Sequence, residues 1–150
     1  MTGLRQAIAL LSLAGLFVAL YLWLHRVGLV GALSCGAAGG CDVVQASRYA
    51  VLLGQPVALY GVAGYALLLG TSLAGLHPRL AGSRRITLAL VLLASGGFAF
   101  TLYLKYLELF VIHAVCRWCV ASAAIITAIW VVAVVAWRRR FSSPALRTGP

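Results

Sequence analysis

The run "HAVCRWCVASAAIITAIWVVAVVAWRRR", residues 113–140, places two cysteines two residues apart at the head of an apolar stretch and three arginines at its foot. A hydrocarbon layer of about 30 Å takes roughly 20 helical residues. Val120–Trp137 meets that length once the turn holding the cysteines extends it to 117–137. Its backbone must be helical, because lipid offers no partner to a free N–H or C=O. The arginines after Trp137 mark the cytoplasmic end. The two cysteines then stand at the outer end, where disulfides persist.

Working outward, three further runs have the same character: Ala7–Leu24, Val57–Leu76 and Ile86–Leu104. Hydrophobic residues make up 63% of the 150 residues and charged residues 9%. A soluble domain carries about a quarter charged residues, so this chain needs lipid around it. The fold expected is an all-α membrane protein: a four-transmembrane-helix bundle, with a short extracytoplasmic helix and a flexible loop between the first two spans. It forms one domain, 1–141, followed by a loose cytoplasmic tail over 142–150. The first run exceeds the apolar core of a signal peptide and has no A-x-A-like site after it, so it reads as a retained span.

The net charge of +10 suggests nucleic acid at first sight. The positions argue otherwise. Arg5, Arg79, Arg84, Arg85, Arg138, Arg139, Arg140 and Arg147 cluster at the ends of apolar runs on one side. Only Arg26, Arg48, Lys105 and Arg117 fall on the other, together with both acids, Asp42 and Glu108. Eight cations against four put both termini in the cytoplasm. Glycines inside the spans, such as Gly61, Gly64, Gly96 and Gly97, suit close helix packing.

All four cysteines then lie outside: Cys35 and Cys41 in the loop 25–56, Cys116 and Cys119 at the fourth span. Three pairings are open to them. Cys116 near the N-cap and Cys119 near N3 would share one helix face. The positive end of the helix and Arg117 favour a thiolate there, the attacking species in disulfide exchange. Cys35 and Cys41 flank Gly36, Gly39 and Gly40, so that pair should be supple. Asp42 is expected to cap a short helix over 43–53, with Gly54 as its stop and Pro56 at the start of the second span. Inert staples are the bland alternative for either pair. Two pairs on one side favour an electron relay ending on a lipid-borne two-electron acceptor, a quinone. No haem, flavin or dinucleotide motif is present.

Among other residues, His113 suits a thiol proton acceptor or, more plainly, an interfacial polar residue. Lys105 and Glu108 are spaced to pair. Trp118, Tyr103, Tyr106 and Phe110 read as interfacial aromatics before quinone-site residues. Tyr60 and Tyr65 face either the bundle mouth or lipid.

A Cys-x5-Cys loop, a serine six residues past its second cysteine and a CxxC at the fourth span, in that order, resemble the vitamin K epoxide reductase family over roughly residues 7–137. The likeness is to bacterial stand-alone members that make disulfides. It implies that Cys35 faces an external thioredoxin-like protein and that Cys41 passes electrons to Cys116. It further implies that Cys119 is the quinone-facing thiol and that Ser47 lies near the quinone (ubiquinone, menaquinone or vitamin K). It implies no metal. The other bacterial quinone-linked oxidase, disulfide bond protein B, has its CxxC before the loop pair. Animal members carry an asparagine near the start of the second span and a tyrosine one turn after the CxxC. Val57 and Ala123 stand here, which argues against vitamin K epoxide as substrate. The carrier is expected to be a separate protein, and the enzyme a monomer in a bacterial cytoplasmic membrane. The alternatives are a vitamin K quinone or epoxide reductase, a soft-metal-binding protein using four thiolates, and a structural subunit.

Overall fold

A computed structural model describes residues 2–32, 35 and 40–142. The glycines expected to loosen the first cysteine pair, Gly36 and Gly39, lie outside the described residues, as does the tail over 143–150. The helices are α1 (Thr2–Arg26), α2 (Gly40–Ala46), α3 (Val57–Leu76), α4 (Arg84–Tyr106) and α5 (Arg117–Phe141). A 3-10 turn, Arg48–Ala50, and two short strands, β1 (Val51–Leu52) and β2 (Gln55–Pro56), connect α2 to α3. A π-helical segment, Leu107–Ile112, prolongs α4.

Among the described residues, four helices are long and apolar enough to cross a membrane: Thr2–Arg26, Val57–Leu76, Arg84–Ile112 and Arg117–Phe141. They form a bundle in which α1 packs on α3 and α5, and α4 packs on α5. The contact between α3 and α4 is lighter. The chain is a multi-pass membrane protein. Its outer surface carries large apolar side chains such as Leu10, Phe17, Leu67 and Leu92. In water such a surface would aggregate; in a bilayer it is the solvated face.

With lipid outside, burial of apolar surface does little to hold the helices together. Close packing and hydrogen bonds do that work. At Gly15 an added Cβ would lie 2.2 Å from Cε1 of Tyr65, so α1 yields its backbone surface to the Tyr65 ring. At Gly61 the corresponding distance to the Ala19 methyl is 3.3 Å, and at Gly97 it is 3.1 Å to Ile126. Ile8, Leu68, Leu90, Ala94, Ile129 and Ala133 complete the core between these contacts.

The arginine-rich end is clamped. Arg5 is buried and donates to the carbonyls of Gly75 and Ala81, the second at 2.8 Å, and to Thr87 Oγ1 at 3.3 Å. Ser72 donates to the Arg5 carbonyl at 2.6 Å. Arg140 reaches the same loop from α5, donating to the carbonyls of Gly82 and Ser83 and to Thr87 Oγ1. Two arginines that read as topology markers therefore also tie the α3–α4 loop to α1 and α5.

The segment between α1 and α3 differs from the expected single helix over 43–53. α2 starts at Gly40, so Asp42 lies in its first turn rather than at its cap. Asp42 instead faces His25 Nε2 at 3.6 Å, linking α2 to the end of α1. α2 ends at Ala46, where Ser47 Oγ donates back to the Val44 carbonyl at 2.8 Å. Gly54 is the second centre of a hairpin turn, not a helix stop. Leu53 and Gly54 have φ of 51° and 78°, both positive, as a two-residue turn of the favoured hand requires. The Tyr60 hydroxyl donates to the Leu52 carbonyl at 2.9 Å and holds the hairpin on α3. The third span also runs further than Leu104, because the apolar "LELFVI" continues the helix as a π turn to Ile112.

Candidate functional site

The site grows from the start of α5. His113 adopts the left-handed conformation (φ 55°) and breaks the π segment. Cys116 is extended (φ −92°, ψ 115°) and caps α5. Its Sγ accepts the backbone N–H of Cys119 at 3.3 Å. This is the N-cap and N3 arrangement expected from C-x-x-C. Cys116 and Cys119 are both free thiols.

Hydrogen bonding from the Cys119 side chain pushes the Cys116 thiol down to about 7. Burial opposes that shift, and the Cys119 N–H assists it. Glu108 raises the value and Lys105 lowers it, each through its charge. The downward shift favours the thiolate, the reactive form.

α2 brings the other pair to the same place. Cys35 and Cys41 form a disulfide with a Cα–Cα distance of 6.0 Å. Cys41 is fully buried and belongs to one cluster with Cys116 and Leu22, against which Cys35, Cys119, Tyr21 and Trp118 pack. Gly40 makes this approach feasible. A Cβ there would stand 2.2 Å from the Val115 carbonyl oxygen, one residue before Cys116. Only the absence of a side chain lets α2 rest on that backbone.

Beside the sulfurs lies a cavity of about 540 Å³, walled largely by α3, α4 and α5 and lined mainly by apolar atoms. That volume is within the range of about 300–1,000 Å³ usual for small-molecule sites. Cys119 lines it, as do Gln45 and Ser47 from the outer segment. Gln45 Nε2 donates to Cys119 Sγ at 3.7 Å. Gly61 and Gly64 on α3, and Gly96 and Gly97 on α4, hollow its walls. Tyr65 also faces it, its hydroxyl bonded to the carbonyl and Oγ of Ser122 at 2.9 Å each. The residues fit a quinone: a flat, largely apolar ring with two polar oxygens needs greasy walls and a few polar groups.

The structure thus gathers all four cysteines at one mouth and sets Ser47 on the cavity wall with Cys119. His113 is exposed and does not line the cavity. Tyr103, Tyr106 and Phe110 are exposed on the apolar surface. Trp118 packs edge-on against Tyr21, ring centroids 5.1 Å apart. Tyr60 and Tyr65 face the cavity rather than lipid alone. Sequence reasoning missed Gln45, because a single amide on a short, largely apolar helix carries no distinguishing signal. It also left Glu108 as a plain ion-pair partner. One acid inside an apolar run was the signal to weigh, since such residues are expensive and functional by default.

Two cysteine pairs meeting at the head of a membrane bundle, one of them over an apolar cavity, make a membrane-embedded thiol–disulfide oxidoreductase. The match to a family model agrees: residues 6–134 fit the vitamin K epoxide reductase family. The chain belongs to that family, whose enzymes are thiol:quinone oxidoreductases.

Proposed function

We propose that the protein is a bacterial, stand-alone member of the family that reoxidises a thioredoxin-like disulfide carrier outside the membrane, relaying electrons from Cys35/Cys41 to Cys116/Cys119 and on to a quinone. The observation that carries this reading is the division of labour between the two CxxC sulfurs. Cys116 is wholly buried beside Cys41, and Cys119 lines the cavity. A relay needs one sulfur facing the incoming pair and the other facing the acceptor.

In the cycle, a thiolate of the carrier attacks Cys35 Sγ and releases Cys41. A second carrier thiolate then frees Cys35 and leaves with a disulfide. The Cys41 thiolate attacks Cys116 Sγ of a Cys116–Cys119 disulfide and displaces Cys119. Cys35 next attacks Cys41, which re-forms the loop disulfide and releases Cys116. The cysteine states fit this point, with Cys35–Cys41 oxidised and Cys116 and Cys119 reduced. The quinone, when bound, supplies a two-electron, two-proton sink. Gln45 holds the Cys119 sulfur at the cavity wall, Ser47 lies on the same wall with its hydroxyl bonded to the Val44 carbonyl, and the apolar lining excludes water. The excess of arginines at the opposite end of the bundle favours both termini in the cytoplasm and the cysteines outside.

Val57 and Ala123 both line the cavity with apolar side chains, which favours a quinone over an epoxide that needs polar contacts at those places. The soft-metal reading loses two of its four thiolates to the Cys35–Cys41 disulfide. The test is direct. Purified protein is mixed with a reduced thioredoxin-like carrier and ubiquinone or menaquinone, and quinone absorbance is followed. Cys119→Ala abolishes turnover. Cys35→Ala blocks the protein carrier and leaves dithiothreitol oxidation largely intact. Full quinone-linked turnover by Cys119→Ala refutes the assignment.

A further inference from the structure

Glu108 is one of two acids in the chain, and its side chain is only 3% exposed. It sits in the π-helical segment, a geometry that recurs at functional sites. Its two carboxylate oxygens have separate tasks. Oε1 accepts the backbone N–H of Cys116. Oε2 accepts the Lys105 ammonium. Lys105 and Glu108 both line the cavity that Cys119 also lines. The ion pair therefore bridges the Cys116 backbone and the acceptor chamber. A purely structural pair at a membrane boundary could be replaced by apolar side chains at little cost, and a single backbone N–H does not require a charged acceptor.

We propose that Lys105 and Glu108 form a proton-transfer pair between the CxxC thiols and the quinone cavity, with Lys105 as the acid facing the cavity and Glu108 as the residue that positions Cys116 and restores the lysine's proton. Their role rests on the quinone-coupled function proposed above. In the step, Cys116 and Cys119 lose two electrons and two protons and join through one S–S bond. Both electrons and both protons end on the quinone oxygens and ring. Lys105 gives one proton into the cavity and becomes a neutral amine. Glu108 takes the proton of the Cys116 thiol, whose own N–H is already bound to that carboxylate, and returns it to Lys105. Cys119, on the cavity wall, delivers the second proton itself. The pair ends the step in the charge state in which it began.

The charges that face Cys116 are few. Glu108 and Lys105 come from the third span, and the Cys119 thiol from α5. α2 contributes the disulfide-bonded Cys41, and α1 contributes Tyr21 and Leu22. Removing one member of the ion pair therefore leaves the other largely uncompensated beside the sulfur.

The experiment uses the full-length protein in detergent or nanodiscs, with Lys105→Met, Glu108→Gln and the double variant. An intact Cys35–Cys41 disulfide and an unchanged melting profile verify folding, the double variant serving where a single one is unstable. The first readout needs no quinone: the pH midpoint of Cys116 alkylation by iodoacetamide, followed by peptide mass spectrometry. Glu108→Gln lowers the midpoint, Lys105→Met raises it, and the double variant returns toward the parent. The second readout is ubiquinone or menaquinone reduction across pH. All three variants lose turnover, by roughly 100-fold if the pair supplies an ordinary acid–base contribution, and the loss is not rescued in the double variant despite its restored thiol. A structural bracket alone would not separate the two readouts in this way. Parent-like turnover in either single variant, or a midpoint unmoved in both, overturns the proposal. If the parent protein reduces no quinone, the function fails first, and the alkylation midpoints alone decide whether the pair governs Cys116.

Discussion

Gly40→Ala tests the contact on which internal disulfide exchange depends. The new methyl carbon would lie 2.2 Å from the Val115 carbonyl oxygen and 3.1 Å from its carbonyl carbon. Both are backbone atoms fixed ahead of the α5 cap, so no side chain can swing away. A carbon and a carbonyl oxygen settle at about 3.3 Å, so α2 must retreat by roughly 1 Å. Cys41 follows Gly40 directly and moves with it, away from Cys116. A displacement of about 1 Å between reacting groups costs on the order of 100-fold in rate. The assay uses a Cys35→Ala/Cys119→Ala background, in which Cys41 and Cys116 have only each other as partners under mild oxidation. The Cys41–Cys116 disulfide forms readily there, and Gly40→Ala slows its formation by about that factor. Trapping of Cys41–Cys116 at the parental rate in Gly40→Ala would refute the reasoning.

Other outcomes follow from the same geometry. Gly15→Val drives the Tyr65 ring off α1 and breaks its bonds to Ser122; overpacking of this kind costs roughly 1–3 kcal/mol, read as a lower unfolding midpoint in detergent. Arg5→Met strips the donor from the Gly75 and Ala81 carbonyls; a buried acceptor left unpaired costs about 1–3 kcal/mol, and a melting curve unchanged from the parent would show the clamp to be idle. In the reduced protein the alkylation rate of Cys116 rises with pH through a midpoint of about 7. Cys119→Ala removes the hydrogen bond that contributes most to that depression, so the midpoint moves up toward the ordinary thiol value of about 8.5; a midpoint that stays near 7 contradicts the cause assigned.

The number of spans, the start of the second and fourth, and the placing of Cys116 and Cys119 at a helix start were legible in the sequence, whereas the third span runs about two turns past the expected Leu104. The reason is local. Apolar run length decides what can cross lipid, and C-x-x-C fixes its own spacing on a helix wherever the helix goes. The short segment between the first two spans was read less well. Nothing in "GCDVVQASRYAVLLGQP" (residues 40–56) announces that the helix starts at Gly40 or that Leu53 and Gly54 turn a hairpin. Those outcomes depend on Val115 lying under Gly40 and Tyr60 reaching back to Leu52, contacts between residues far apart or across a bend.

The amino-acid order determined by itself that this chain lives in a membrane and that its sulfurs can form two pairs, because hydropathy and spacing are properties of neighbours along the chain. Tertiary structure alone decided which sulfur looks where, that Gln45 attends Cys119, and that Glu108 joins Cys116 to Lys105 at the wall of a cavity. Those relations arise only when separate helices meet, since a hydrogen bond or a hollow needs surfaces from more than one of them.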